Sequence, residues 1–215
     1  MFEFLDANSS TIVDALVEHL YLSFLPILIG IVVALPLGML AVRYRWADIP
    51  LLGASSVAYS IPSLALFIAM PGLIGTKILD PLNVVIALSL YTVALLFRSV
   101  ADGLRSVPEP VRMAATALGM KRPRQLLTVE LPIALPIIAS GLRVAAVSNI
   151  SMVSVGALIG VGGLGALFTY GFQIQSFPLL VTGIVLSVAL ALIADVLIVL
   201  AQRLTTPWTR ARATR

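Results

Sequence analysis

The chain has no cysteine and a single histidine, His19, among 215 residues. Without thiols there is no disulfide framework, no thiolate nucleophile and no Cys-based metal centre. One imidazole also excludes a histidine-rich metal site within one chain. Charge is scarce as well. Asp, Glu, Lys and Arg make up 11% of the residues, against about 25% in soluble domains. No Gly-x-x-x-x-Gly-Lys-Ser/Thr sequence occurs, so the chain has no phosphate-cradling loop of its own for ATP hydrolysis. A membrane-embedded enzyme would need a nucleophile–base or metal constellation, and scattered acids with one histidine do not supply it.

What is present is apolar length: 60% of the residues are hydrophobic. Runs at about Leu20–Val42, Ile49–Leu73, Leu82–Val100, Ile133–Ser151 and Pro178–Ala201 each suffice to cross a ~30 Å hydrocarbon core. The chain therefore reads as an all-α polytopic membrane protein with five transmembrane helices. The net charge of +4 matters less than its placement. Arg43 and Arg45 follow the first run, Arg98 and Arg105 the third, and Arg203, Arg210, Arg212 and Arg215 the last. Basic residues gather on the cytoplasmic side. Five crossings from an acidic N-terminus outside put every cluster inside, and the basic residues then anchor to the bilayer rather than to nucleic acid. The start of the chain lacks the positive charge and cleavage site of a signal peptide. Residues 1–19, with Ile12, Val13, Leu16 and Val17 on one side, read as an interfacial helix on the outer surface. His19 falls at that outer interface without an assigned role. Residues 20–203 form the transmembrane domain and 204–215 a basic cytoplasmic tail.

One polar break interrupts the apolar pattern, at 108–132. Pro108 and Pro110 suit the first turn of a helix. Val111, Ala114, Ala115 and Leu118 recur at the spacing of one helical stripe. Gly119 stands where a helix end wants positive φ. Pro123 restarts a second short helix through Gln125, Leu126, Leu127 and Val129. Lys121 and Arg122 add to a basic, wet face.

Within this break, Met113-Ala114-Ala115, three residues, Gly119, nine residues, Val129, one residue and Leu131-Pro132 resemble the EAA loop of ABC importer permeases. Met113 replaces the usual Glu and Val129 the usual Ile. The resemblance implies a type I ABC importer transmembrane domain, with 108–132 as its coupling element docked on a separate ATPase. Met113 removes one charged contact from that docking. ATP and Mg would sit on the ATPase, and this chain would bind no cofactor or metal. A second permease subunit, identical or paralogous, and an extracytoplasmic substrate-binding protein would complete the assembly in a bacterial cytoplasmic (inner) membrane.

The stretch Met152–Phe177 is Gly-rich and too broken for a crossing, which suits a re-entrant or short helical segment at the outer face. Gly160, Gly162, Gly163 and Gly165 fit either close helix packing or, beside Asn149 and Ser151, an outer gate. The same stretch resembles that of permeases for glycine betaine, choline and carnitine, as do Tyr59-Ser-Ile-Pro-Ser-Leu-Ala-Leu66 and Ser140-Gly-Leu-Arg143. Methionine importer permeases share the five-span plan and stand as the rival reading. A secondary transporter would show an inverted repeat and mid-membrane carboxylates, neither of which is seen.

Quaternary ammonium groups favour aromatic faces, so Tyr59 and Tyr91 are candidate pathway residues. Ser60, Ser63, Thr92, Asn149 and Ser151 are candidates to wet the cavity, with interhelical hydrogen bonding as the competing role for each. Two ionisable residues lie within spans: Arg143, and Asp195 in the cytoplasmic half of the last. They read either as a cavity or gating ion pair or as structural charges.

Overall fold

The computed structural model describes residues 8–208, and every described element is helical. Helix α1 (Ser9–Arg43) is one unbroken run of 35 residues. At 1.5 Å per residue it is roughly 52 Å long and overshoots the hydrocarbon core. The separate interfacial helix expected at 1–19 is therefore corrected. From Ser9 onward that segment is the outer end of the first span, and residues 1–7 lie outside the described part. The His19 side chain, at the outer end of this span, is fully buried.

The second span is broken. Helix α2 (Arg45–Ser60) and helix α3 (Ser63–Ile74) meet at 105° across Ile61-Pro62. Pro62 has no N–H, and its ring disfavours helical backbone at the residue before it. The Tyr91 hydroxyl donates to the Ile61 carbonyl that the break releases. That bond satisfies a backbone group that lipid could not.

Helix α4 (Pro81–Arg105) runs antiparallel to the bent pair. At its C-terminal end Arg105 contacts Asp48 at 2.5 Å, at the start of α2. At its N-terminal end Asn83 accepts from Thr76, just beyond α3. The bent pair thus travels the whole length of α4 and counts as one crossing. With helix α7 (Leu131–Gly156) and helix α9 (Phe177–Thr205), the crossings are five.

Glycines let α1, α4 and α7 close on one another. A Cβ on Gly38 would lie 2.8 Å from Val100 Cβ, and one on Gly30 2.8 Å from Thr92 Cβ. Gly141 meets Ser99 in the same way. Small residues at such crossings give van der Waals packing, which drives association where lipid removes the hydrophobic effect.

On the cytoplasmic side, helix α5 (Glu109–Ala117) and the four-residue helix α6 (Arg122–Gln125) make the polar break. Gly119 turns the corner at φ 73°, as its position in the pattern required. The second short helix is corrected in one respect. After α6 the chain widens into a π-turn, Leu126–Glu130, and flows directly into α7. Pro132 offers no N–H to the Thr128 carbonyl, and the ladder slips so that the Leu131 N–H reaches Leu126 O. At the outer face, helix α8 (Leu164–Gln173) has 10 residues. That is roughly 15 Å, half of what a crossing needs. Gly171 lies against Leu180, and Gly183 against Leu164 and Phe168, clamping α8 to α9.

Candidate functional site

The cytoplasmic hairpin presents an open surface. Met113 is 63% exposed and Leu118 78%, with Ala114, Ala117, Gly119 and Lys121 exposed beside them. Of the apolar stripe Val111, Ala114, Ala115 and Leu118, only Ala115 is buried against the chain itself. Glu109, Arg112, Met113, Thr116, Ala117, Arg122 and Gln125 line a groove of about 510 Å³. The hairpin is braced from behind. Gln125 donates to Arg112 O at 3.4 Å, and Arg112 donates to Leu104 O at the end of α4. Val129 is half-buried, while Leu131 and Pro132 open α7.

Tyr59 and Tyr91 come together edge to face, with ring centroids 6.1 Å apart. Tyr91 is buried at the break, whereas Tyr59 is 47% exposed. Ser60 is also exposed; its hydroxyl donates back to Ser56 O at 2.7 Å. Ser63 begins α3. Thr92 and Asn149 stand apart from these. Both are buried, and Asn149 donates to Thr92 Oγ1 at 2.9 Å and to Ser23 O at 3.3 Å. They join α1, α4 and α7 near mid-membrane and reach no open cavity, which corrects their candidacy for wetting it. Ser151 is exposed and, with Ser154, Phe168 and Ser187, lines a 260 Å³ hollow between α7 and α9. Arg143 donates to both carboxylate oxygens of Asp195, at 2.7 and 2.8 Å.

The profile of the binding-protein-dependent transport system inner membrane component family matches residues 26–208. The chain belongs to that family. Among curated proteins, the permease is 36% identical over 203 residues to the osmoprotectant import permease protein OsmW of Salmonella typhimurium, covering 93% of this chain and 94% of the relative. It is 29% identical over 207 residues to the glycine betaine/carnitine/choline transport system permease protein OpuCB of Bacillus subtilis, covering 96% and 94%. Among solved structures, an inward-facing MetNI methionine ABC transporter superposes with a TM-score of 0.77 at 22% identity, over 91% of this chain and 96% of that one. The shared architecture is that of type I ABC importer permeases.

The Gly-rich segment of this permease is a tight turn held by side chains that sequence reasoning missed. Gly160 and Gly163 take φ of 83° and 78°. The Gly163 N–H donates to Glu18 at 2.9 Å, and the Leu164 N–H to His19 Nδ1 at 3.1 Å. A carboxylate suits this end of α8, where unsatisfied N–H groups gather. His19 Nε2 in turn donates to Ile150 O at 3.1 Å. One imidazole thereby ties α1, α7 and α8. Gly162 sits where a Cβ would strike the Glu18 carboxylate, and Gly165 where one would lie 2.7 Å from Ser154 O. The geometry of Gly162, Gly163 and Gly165 is that of close packing. Only adjacency hinted at it: the sole histidine follows an acid at the outer end of a span.

Glu130 was missed as well. It sits in the π-turn with 1% exposure, between Arg122 at 3.0 Å and Arg112 at 3.8 Å. The visible signal was a lone acid inside the apolar run Val129-Glu130-Leu131. Among the described residues no cluster of metal-ligating side chains forms.

Proposed function

We propose that this permease is the membrane subunit of an ATP-driven importer for quaternary-amine osmoprotectants such as glycine betaine, choline and carnitine. The full-length likeness to permeases named for those solutes carries the substrate class. Two permease subunits enclose the pathway. Two ATPases, holding ATP and Mg, seat on the exposed hairpin faces around Met113, Ala114 and Leu118. An extracytoplasmic binding protein delivers solute at the outer face of the inner membrane. The open Tyr59 ring, steadied by Tyr91, offers a cation–π surface to a fixed positive charge. Ser60, Ser63 and Ser151 keep the way wet. Arg143 lies at the centre of α7 and Asp195 about four residues toward the cytoplasm from the centre of α9, both at hydrocarbon depth. A bidentate pair there suits a face turned to water or to the second subunit rather than to lipid tails.

Transport follows alternating access. ATP binding draws the two hairpins together, which favours the outward-open state, and hydrolysis returns the inward-open one. Each ligand shifts the balance only by its preference for one state. The test is co-purification with the cognate ATPase, then uptake of labelled glycine betaine and methionine into proteoliposomes. Betaine uptake dependent on ATP and the binding protein supports the assignment. Methionine uptake alone, or transport without the ATPase, refutes it.

A further inference from the structure

We propose that Glu130 is the joint through which the coupling hairpin moves α7. This inference rests on the reading that α5 docks on an ATPase. It concerns what happens after docking. A short surface helix cannot drive a membrane span unless something rigid connects them. Backbone alone does not suffice here, because α5 reaches α7 only through the Gly119 corner, four residues of α6 and a π-turn. The π-turn is a wide, non-ideal stretch of ladder, the kind of element that bends.

The side chains close that soft route. Glu130 lies at the last position of the π-turn, immediately before α7. Its Oε1 accepts from Arg122 Nη1 at 3.0 Å, fastening α6. Its Oε2 faces Arg112 Nε at 3.8 Å, an ion pair without a hydrogen bond, which holds the charge of α5 against the same carboxylate. Arg112 also donates to Leu104 O, where α4 ends. The carboxylate therefore stands where α4, α5, α6 and α7 converge. A buried charge stripped of its partners is costly, so the four segments are held to one arrangement as the hairpin is displaced.

This chain has no native cysteine, so introduced ones are the permease's only labelling sites, and the partner proteins are used in cysteine-free form. In the full complex with ATPase and binding protein, spin labels at Leu118→Cys and Ile137→Cys report the distance between hairpin and α7. Both positions are exposed. With Glu130 in place, one narrow distance persists in the nucleotide-free and ATP-bound states. In Glu130→Gln the distance broadens or differs between states, and solute transported per ATP hydrolysed falls at least ten-fold. Glu130→Asp keeps the charge but draws it back by one methylene, and gives an intermediate loss. It serves if the Gln variant does not assemble. A label distance that changes with nucleotide in the unaltered protein overturns the proposal. So does wild-type solute-to-ATP stoichiometry in Glu130→Gln or Glu130→Asp. Failure of the docking reading looks different, because no ATPase then co-purifies.

Discussion

Replacing Gly163 by Ala tests the outer turn most directly. Gly163 has φ 78° and ψ −172°, a region almost closed to residues with a Cβ. Forcing Ala there costs on the order of 1–3 kcal/mol. The new methyl would also sit 3.1 Å from His19 Nδ1 and 3.3 Å from His19 Cα and Cβ. His19 cannot swing aside, because both ring nitrogens are engaged by Ile150 O and the Leu164 N–H. Tight contact with an immobile neighbour adds about 1 kcal/mol or more. A total of about 2–4 kcal/mol follows, and at ~2–4 °C per kcal/mol for a chain of this size the Tm falls by roughly 4–16 °C. Two other glycines calibrate the measurement. Gly162→Ala meets only the mobile end of Glu18, so it loses the Glu18–Gly163 bond, about 1 kcal/mol. Gly53→Ala lies in a helix with nothing within 4 Å, so it is neutral or slightly stabilising. Thermal unfolding of the detergent-purified permease ranks the three. Equal Tm for Gly163→Ala and Gly53→Ala would refute the reasoning.

Asn149→Ala removes two interhelical bonds at mid-membrane and lowers stability by about 1 kcal/mol, at ~0.6 kcal/mol per bond. Unfolding titrations in detergent read this, and an unchanged midpoint counts against the Thr92–Asn149 link. Arg143→Gln or Asp195→Asn alone strands a charge within the span, so each single variant assembles less well than the double variant. The yield of monodisperse complex measures the difference, and a double variant worse than both singles contradicts it. A membrane-impermeant maleimide applied to intact cells labels Leu79→Cys but not Leu118→Cys. Labelling of the second position overturns the five-crossing topology.

Hydropathy located the five apolar runs, because bilayer thickness imposes a length on every span, and charge placement gave the orientation that the labelling experiment tests. Spacing alone located the hairpin and required positive φ at Gly119, which the fold adopts. Local chemistry of this kind acts within a few residues and is written along the chain. Long-range partnership is not. Asn149 is 57 positions from Thr92, Asp195 is 52 from Arg143, and Leu164 is 145 from His19. Nothing in the linear order says that these meet. Proline shows the division most plainly. Pro26 and Pro36 lie inside an unbroken α1, while Pro62 splits the second span through 105°. All three rings exact the same local cost. At the Pro62 break the Tyr91 hydroxyl, thirty residues away in sequence, donates to the freed Ile61 carbonyl. The sequence by itself determined how often the chain crosses the bilayer and where its polar hairpin lies. Tertiary structure decided which helices bend and which polar groups pair, because in lipid a released backbone group persists only where a neighbouring helix satisfies it.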